Sequence, residues 1–405
     1  MTPIMAQLHV TIVRSLSAQP LSLADLAAAA QVSLPTLQRA VKDLTEAGWV
    51  RAVGRAATTG GRPAVLYGLD ASTHLIIGAH LQLPGVRLAA VTLTGDVLDE
   101  HQIENGVATS PDEVVREIAA YVERVAHRYP ARTVLGIGLA APGFIDMASG
   151  EILGIGRVAS WQHFPIKARL VAALGLPVIV GNDVDSMAVA ELQQGRIPAG
   201  QNLIYLGFAE GFKASLFLGG QRYCGPFGNA GNIGSTVLFC GQPADGSAPR
   251  QVQKIASVRA VCQAFDERVS DAPSSNPAHA AIRSAGDLAS KFQRILEAAE
   301  AGDSLCAPLV AEMIALLAVV VANLLNTIQP NLLIIGGALS DLPLRLFNEF
   351  ETAIRGYLPQ PIANYVLIQR ARLSSPNLVI AGIAREFLEQ YVVQEDFFQP
   401  EGAIS

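Results

Sequence analysis

The sequence predicts an α/β protein in which a small helical head precedes a larger body of alternating strands and helices. The chain has 405 residues, enough for two or three domains that each have a core. Half of the residues are hydrophobic and only 16% are charged, which is typical of folded domains and excludes a disordered chain. Helical spacing of apolar residues dominates residues 1–48, whereas strand-like and helical runs alternate from residue 74 onward.

The charge is unevenly distributed between the head and the body. The formal net charge is −6 at pH 7. Residues 1–70 contain six Lys and Arg against four Asp and Glu, whereas the remainder contains 23 against 31. The asymmetry favours a head that faces nucleic acid on an acidic body. Ordinary surface variation fits the charge pattern alone nearly as well.

Cysteine and hydropathy patterns predict a cytoplasmic protein without a membrane segment. The four cysteines are scattered and form no C-x-x-C pair, which is typical of reduced thiols. The N-terminus lacks the charged-then-apolar pattern of a signal peptide. Residues 313–325 form the most apolar segment. Because that segment is too short to cross a bilayer, we predict a buried core helix there.

Residues 1–70 are predicted to form a winged helix-turn-helix. Apolar residues recur at helical spacing over 4–17, and Ser22 and Ser33 are suited to cap two further helices. Residues 31–32 form the turn between these helices, and Pro35 fits the first turn of the second one, which Gly48 ends. Residues 49–55 and 64–69 can then pair as a wing joined by TTGGRP.

The outer face of the second capped helix has the chemistry of DNA recognition. Hydroxyl, amide and guanidinium groups on this face suit base edges in a major groove, and the helix N-terminus suits phosphate. Arg62 in the wing is positioned to enter a minor groove or touch the backbone. The predicted DNA contacts are Ser33, Pro35, Thr36, Gln38, Arg39, Lys42 and Arg62. A three-helix unit used for protein contacts is the alternative, and the added wing favours DNA.

The body is predicted to contain two lobes with a ligand cleft between them. HLIIGAHL and VRLAAVTL indicate a hairpin, and VLGIGLAAPG, LPVIVGND, LIYLGF and NLLIIGG indicate buried strands. Helices are predicted at 111–127, 166–174, 184–194, 252–265, 285–301, 309–327, 348–357 and 378–390. Alternation of this kind is typical of α/β architectures, whose ligands commonly bind in clefts.

Six motifs follow one another over essentially the whole chain. A winged helix ending in GGRP precedes VRLAAVTLTGDVL, GIGLAAPGFID, LPVIVGND, YCGPFGNAGNIG and QPNLLIIGGALS. In that order they resemble the ROK family (repressors, open reading frames and kinases), specifically its repressor branch. The resemblance implies an actin-like body of two ribonuclease-H-like lobes in an oligomeric transcription factor. It divides the chain into a head at 1–70, a first lobe at 71–195 completed by a helix at 376–395, and a second, oligomer-forming lobe at 196–375.

The phosphate loops that the resemblance implies for a kinase are degraded. Family kinases carry a D-x-G-G-T-like loop at the first hairpin, where this chain has GAHLQLPGVRL with His80 in the run. The second loop, typically G-T-G-x-G-x-G, here is GFAEGFKAS. Phe208 and Phe212 are bulky there, and Glu210 would repel phosphate. The pair Gly336–Gly337 survives, although such glycines after a strand are also common packing devices. ATP binding and phosphoryl transfer are therefore not expected.

The resemblance also implies a sugar-type effector site. Asn182 and Asp183 match the family's N-D pair, whose Asp acts as base on a sugar hydroxyl in kinases and would accept hydrogen bonds from hydroxyls in a regulator. Asp183 is equally suited to cap the helix that follows it. Asn232, beside Gly231, stands where the family has a glutamate, and its amide can also bind hydroxyls. The effector-binding prediction comprises Asn182, Asp183, Gly231 and Asn232.

The family's structural zinc site is predicted to be lost. Ser235 stands where the family has a histidine ligand, and Cys240 alone remains of a C-x-C-G-x-x-G-C run. One cysteine without a nearby histidine cannot supply four-coordinate zinc, so no metal cofactor is expected.

These patterns predict a DNA-binding regulator, a repressor of carbohydrate-metabolism genes that binds double-stranded operator DNA as a homodimer or homotetramer. A sugar or sugar-phosphate effector in the cleft would control it. Two alternatives stay open. One is a sugar kinase with an appended head, and the other is an effector-blind regulator controlled by a partner protein.

Overall fold

A computed structural model describes residues 3–57, 63–103, 110–156, 158–193, 200–209, 211–238, 249–271, 276–372 and 377–391. The helices are α1 (Pro3–Ala18), α2 (Leu23–Ala30), α3 (Leu34–Glu46), α4 (Pro111–Arg128), α5 (Ile166–Leu174), α6 (Asp183–Gln193), α7 (Val258–Asp271), α8 (Pro277–Arg283), α9 (Leu288–Glu300), α10 (Cys306–Ile328), α11 (Leu344–Gly356), α12 (Gln360–Tyr365) and α13 (Leu378–Tyr391).

The strands are short and separated by turns or helices. They are β1 (Leu21–Ser22), β2 (Val50–Arg55), β3 (Val65–Leu69), β4 (His74–Gln82), β5 (Gly85–Thr92), β6 (Val97–Ile103), β7 (Thr133–Ala141), β8 (Phe144–Asp146), β9 (Glu151–Gly154), β10 (Val178–Asn182), β11 (Leu203–Phe208), β12 (Phe212–Leu218), β13 (Gln221–Tyr223), β14 (Val237–Leu238), β15 (Arg250–Gln251), β16 (Leu332–Gly337) and β17 (Leu367–Arg370).

The chain divides into two compact units. The first comprises Met1–Arg196 and Ser375–Ser405, and the second comprises Ile197–Ser374. Each unit contains one five-stranded sheet, in the order β10-β7-β4-β5-β6 in the first and β13-β12-β11-β16-β17 in the second. In both sheets, the first three strands along the chain form an antiparallel meander. The two later strands are parallel to the first strand and lie on its other side. The two sheets therefore share one topology, as expected of two ribonuclease-H-like lobes. The separate 1–70 head domain and the other predicted boundaries stay predictions.

The head forms from local signals that the sequence states clearly. Ser22 caps α2 in a capping box with Asp25, and Ser33 accepts a hydrogen bond from the Thr36 amide at the start of α3. Gln31 adopts a left-handed conformation in the turn between the two helices. Strands β2 and β3 pair antiparallel, with β1 on the other side of β3. The predicted helix-turn-helix and the paired wing strands are present.

Several element boundaries differ from the sequence prediction because capping residues fix them. Helix α7 begins at Val258, after Ser257 accepts a hydrogen bond from the Ala260 amide, and not at 252. Helix α9 begins at Leu288 because Asp287 caps it through the Ser290 amide. Strand β6 and the short helices α8 and α12 were not predicted. Strand β6 alternates half-buried and exposed residues at the sheet edge, so its polar sequence lacked a buried-strand signal.

Helix α10 is the core helix of the second unit, as predicted, but it is longer than the apolar segment suggested. It has 23 residues, and among the described residues it is the one helix long and apolar enough to cross a membrane. The expectation that this segment is too short to span was therefore wrong. Its apolar side chains pack in the unit's main cluster with residues of α7, α9 and α11. The packing accounts for its composition without a bilayer.

Candidate functional site

The outer face of α3 presents most of the predicted DNA contacts together. Ser33, Pro35, Thr36, Gln38, Arg39 and Lys42 are all exposed, whereas Leu37, Val41 and Leu44 are buried beneath them. Arg39 makes no hydrogen bond or ion pair with any residue that the structure describes. Its guanidinium is therefore available to a ligand such as DNA. Arg62 lies outside the described residues.

Charges divide α3 into two halves. Towards its C-terminus, Lys42 Nζ lies 3.7 Å from Glu46 Oε1, and Asp43 lies 3.9 Å from His9 Nε2. These carboxylates would repel phosphate. The N-terminal half contains Thr36, Gln38 and Arg39 and no acidic residue. This half is the part of a recognition helix that contacts base edges in helix-turn-helix complexes.

The wing adds two basic residues that the sequence prediction did not include. Arg51 and Arg55 are exposed on β2, and Arg55 is the last residue of the strand. The register of β2 and β3 shifts between Ala52 and Gly54, which re-aims the side chains beyond the bulge. The G-R dipeptide at the end of a short strand was the sequence signal for this basic strand end.

The first hairpin of the body has no cradle for phosphate. Strands β4 and β5 are joined by a two-residue turn at Leu83 and Pro84, since Gln82 pairs with Gly85. His80 lies in β4 opposite Arg87 and is 5% exposed. Burial, with the Arg87 charge as a smaller cause, lowers the pKa of His80 to about 3. The position of a kinase acid is thus occupied by a buried neutral imidazole.

The second phosphate-loop position is filled by aromatic packing. Phe208 and Phe212 are buried and meet edge to face, with ring centroids 5.7 Å apart. Glu210 lies outside the described residues. A Cβ on Gly336 would lie 2.1 Å from the Tyr205 hydroxyl, and one on Gly337 would lie 2.2 Å from the Phe208 carbonyl oxygen. The glycine pair therefore permits close packing against β11.

Asn182 and Asp183 lie at the junction of β10 and α6 in the first unit. Asn182 is 3% exposed, and its amide donates to the carbonyl oxygens of Ala141 and Gly143 at 3.4 Å. Its Oδ1 accepts from the Val184 amide at 3.0 Å, while Asp183 Oδ1 accepts from the same amide at 2.8 Å. Because α6 begins at Asp183, Asn182 occupies the capping position that was expected for Asp183. Asn182 orients this junction, and Asp183 is the more exposed of the pair.

Gly231 and Asn232 lie in a loop of the second unit that packs on β12. Gly231 has φ +81°, and a Cβ there would lie 1.9 Å from the Ala214 carbonyl oxygen. The Ala214 amide in turn donates to the Gly231 carbonyl. Asn232 is half-buried and donates to Ser235 Oγ at 3.2 Å. The backbone of the loop is thus fixed by Gly231, and its side-chain chemistry is that of a neutral amide and a hydroxyl.

Cys240, the remaining cysteine of the expected zinc run, lies outside the described residues. Within the described part of the chain, His279, Asp303 and Cys306 are grouped closely enough to hold a metal ion. Asp303 accepts from the Leu305 and Cys306 amides at the start of α10, and His279 Nε2 lies 2.9 Å from Asp303 Oδ2. Burial and the adjacent Asp303 raise the pKa of the Cys306 thiol to about 12. The group thus acts as a clamp on the first turn of α10.

The head and the two repeated sheets define a class: winged helix-turn-helix proteins with an actin-like body. The model of the ROK family matches residues 83–383, which is more than half of the chain. The chain belongs to the ROK family.

The family's regulators and its kinases both resemble this chain. The xylose repressor of Caldicellulosiruptor bescii is 24% identical over 308 residues, covering 75% of this chain and 76% of the relative. A glucokinase of Halalkalibacterium halodurans is 26% identical over 301 residues, covering 73% of this chain and 90% of the relative. A transcriptional regulator of Mycobacterium tuberculosis is 27% identical over 322 residues, covering 77% and 70%.

Solved structures show the same fold. A ROK family transcriptional regulator, a homologue of the E. coli MLC protein, aligns with a TM-score of 0.78 at 19% identity over 98% of this chain and 100% of its own. A ROK glucokinase from Streptomyces griseus, solved with glucose and AMPPNP, aligns with a TM-score of 0.62 at 21% identity over 77% and 98%. The regulator therefore shares essentially the whole fold of this chain, while the kinase is matched almost entirely within about three quarters of it.

Proposed function

We propose that this protein is a DNA-binding transcriptional regulator, a cytoplasmic repressor of carbohydrate-metabolism genes. The observation that carries the proposal is the winged head with an exposed, acid-free N-terminal half of α3, on a body whose phosphate-loop positions are filled. A regulator of the same family matches 98% of the chain including this head, and a relative is named as a xylose repressor. DNA binding by α3 follows the geometry of other helix-turn-helix proteins.

A sugar-like effector is the proposed signal. Asp183 supplies a partly exposed carboxylate at the end of β10, and Asn232 supplies an amide in the loop after β13. Both groups suit sugar hydroxyls. The cleft between lobes stays a prediction, as do the oligomeric state and the effector's identity.

Sugar phosphorylation is the second candidate, because glucokinases are relatives. The buried neutral His80 and the Phe208–Phe212 pair occupy the two places where a family kinase binds phosphate, so we expect no ATP turnover with D-glucose or D-xylose. A coupled ADP assay checks this. If the wild type phosphorylates either sugar and the Asp183→Asn variant does not, the assignment as a kinase would replace the assignment as a regulator.

DNA selection from the chain's own genome, followed by a fluorescence-anisotropy titration, tests the proposal. The Arg39→Ala variant should bind the selected operator about five- to 150-fold more weakly, since a bidentate contact to a base contributes about 1–3 kcal/mol. Arg14→Ala removes the same charge from the exposed side of α1 and is the matched control. Equal losses in the two variants would indicate a charge effect, and unchanged affinity in Arg39→Ala would overturn the assignment of α3.

A thermal-shift titration with D-xylose, D-glucose and their phosphates tests the effector. A ligand that binds the folded state raises the melting temperature by mass action. The shift should be lost in Asp183→Asn while the unliganded melting temperature is kept. If none of the four shifts the wild type, a sugar effector of this kind is excluded in favour of the effector-blind alternative.

A further inference from the structure

The C-terminal helix α13 contacts both the Asp183 junction and the DNA-binding head within the first unit. We propose that α13 couples these two places, with Glu386 and Arg385 as the positioning residues on its two sides. This inference rests on the proposed function, because it names how the Asp183 site is connected to the head.

Glycines on three neighbouring strands let α13 lie directly on the sheet. A Cβ on Gly78 of β4 would lie 2.4 Å from Ile380, and one on Gly138 of β7 would lie 2.8 Å from the Ile383 carbonyl oxygen. On β10, a Cβ on Gly181 would lie 2.9 Å from Ile383 Cδ1. Because the close atom at Gly138 belongs to the helix backbone, a larger side chain at that position would lift the helix. Close packing of this kind transmits displacement, because interiors have low compressibility.

On the effector side, α13 meets α6 backbone to backbone. A Cβ on Gly382 would lie 1.8 Å from the Ser186 carbonyl oxygen. Ser186 is fully buried; its Oγ lies 2.8 Å from Glu386 Oε1 and 3.2 Å from the Asn182 carbonyl oxygen. Glu386 is itself 4% exposed. Because a buried carboxylate that loses a hydrogen-bond donor is costly, α6 and α13 are held to move together.

On the head side, α13 holds the end of α1. Arg385 Nη1 donates to the Ser17 carbonyl oxygen at 2.9 Å, and its Nε donates to Glu389 Oε1 at 2.7 Å. Ser17 lies in the last turn of α1, where carbonyl groups lack intrahelical partners and a cation is favoured. Ala384 and Leu388 of α13 share one apolar cluster with Leu16 of the head.

These contacts form a continuous path: Asp183 begins α6, Ser186 joins α6 to Glu386, and the neighbouring Arg385 joins α13 to α1. A ligand that shifts the start of α6 would therefore shift the end of α1. Coupling between two sites is reciprocal, so a change at the head end must also be felt at the effector end. That reciprocity can be measured without DNA and without an effector.

Hydrogen-exchange mass spectrometry of the full chain tests the path. In Ser186→Ala, the backbone amides of residues 14–18 should exchange about threefold faster or more. In Arg385→Met, the amides of residues 182–186 should show the same acceleration. A change of this size is expected for weak coupling between communicating residues. Helix α4 should be unchanged in both, since it packs in a different apolar cluster. Arg128→Met, which removes the ion pair between the exposed Arg128 guanidinium and Asp99 in the same unit, is the matched control and should change neither segment.

The path would be overturned if exchange became faster only next to the substituted residue, or if it became equally faster in α4. In either case α13 would have only a structural role. Should Arg385→Met unfold, Arg385→Lys retains the cation, and its milder effect at 182–186 serves the same test.

Operator titration of Ser186→Ala, Arg385→Met and the double variant extends the test to function. If the path operates, Ser186→Ala changes the operator Kd by about threefold or more, and adding it to Arg385→Met has no further effect. If the fold-change in Kd of the double variant equals the product of the fold-changes of the two single variants, the path would be overturned. If the wild type binds no DNA, the proposed function fails, while the exchange experiment still decides the path.

Discussion

At the residue scale, glycines that resemble phosphate-loop signatures have other causes in this chain. Gly336 and Gly337 allow β16 to lie against Tyr205 and Phe208, and Gly78 gives α13 its place on the sheet. Close approach of neighbouring atoms favours glycine at these positions, and at Gly337 the left-handed φ of +63° does so as well. A glycine-rich motif is therefore evidence for a ligand site only when the space above it is open.

Gly231 is the position at which we expect substitution to be most costly in the candidate effector loop. Gly231→Ala combines a left-handed φ of +81° with a Cβ at 1.9 Å from the Ala214 carbonyl oxygen, and it should lower the free energy of unfolding by about 1–3 kcal/mol or more. Urea denaturation measures the loss. Gly211→Ala is the matched control, because a Cβ there meets nothing within 4 Å and should leave stability unchanged.

His80 predicts a specific acid sensitivity. Its folded pKa of about 3 lies below the ordinary value of 6.5, so the unfolded chain binds a proton that the folded protein does not. Stability from the neutral imidazole is fully present above pH 6.5 and declines as the pH falls, by about 2 kcal/mol at pH 5. His80→Leu should therefore lose about that much less stability between pH 7 and pH 5. Urea denaturation of both proteins at both pH values measures this difference. An equal loss of unfolding free energy between pH 7 and pH 5 in the two proteins would contradict this account.

At the element scale, caps decide where the helices begin. Ser22, Ser33, Ser257 and Asp287 each accept a hydrogen bond from a backbone amide in the first turn of α2, α3, α7 and α9 respectively. The head was predicted well because Ser22 and Ser33 directly precede their helical patterns. The starts of α7 and α9 were misplaced because apolar periodicity extends past the cap, and only the side-chain hydrogen bond shows which residue ends the loop.

The clamp on α10 gives a testable consequence. Asp303→Ala removes the acceptor for two first-turn amides and the partner of buried His279, so it should cost about 1–3 kcal/mol of stability. The pKa of Asp303 is lowered: burial acts to raise it, but hydrogen bonds from the Cys306 and Leu305 amides and His279 outweigh burial. Its contribution is present above the ordinary carboxyl pKa and is lost as the pH falls through the lower folded value.

Thermal unfolding at pH 7 measures this loss. Asp287→Ala, which removes a more exposed cap from α9 in the same unit, is the comparison and should cost less. A smaller effect for Asp303→Ala than for Asp287→Ala would show that the clamp has no role beyond an ordinary cap.

At the scale of the whole molecule, a regulator of this class would act through paired heads. If two heads of a dimer bind one operator, half-sites should lie one or more helical turns apart, about 34–36 Å per turn. Inserting about half a turn of DNA between the half-sites should weaken binding, and inserting a full turn should restore it. Anisotropy with the three operators measures this, and equal affinity for all three would contradict binding by paired heads.

The sequence by itself determined the class of most of the long helices and buried strands and the order of the motifs. Capped helices, hydrophobic periodicity and turn residues are local properties, so they predicted the winged head, the two sets of strands and the family. The chemistry of the degraded loops was also legible, since His80 stands in place of the acid of the first loop and the bulky Phe208 and Phe212 lie in the glycine-rich second loop.

Only the tertiary structure showed which contacts the individual site residues make. Asn182 donates to the carbonyls of Ala141 and Gly143 and accepts from the Val184 amide at the start of α6, and its binding of an effector stays a prediction. The contacts of Arg385 with Ser17 and of Glu386 with Ser186 join residues 368 and 200 positions apart. Periodicity and capping extend over a few residues, whereas these contacts exist only once the sheet has brought α1, α6 and α13 together.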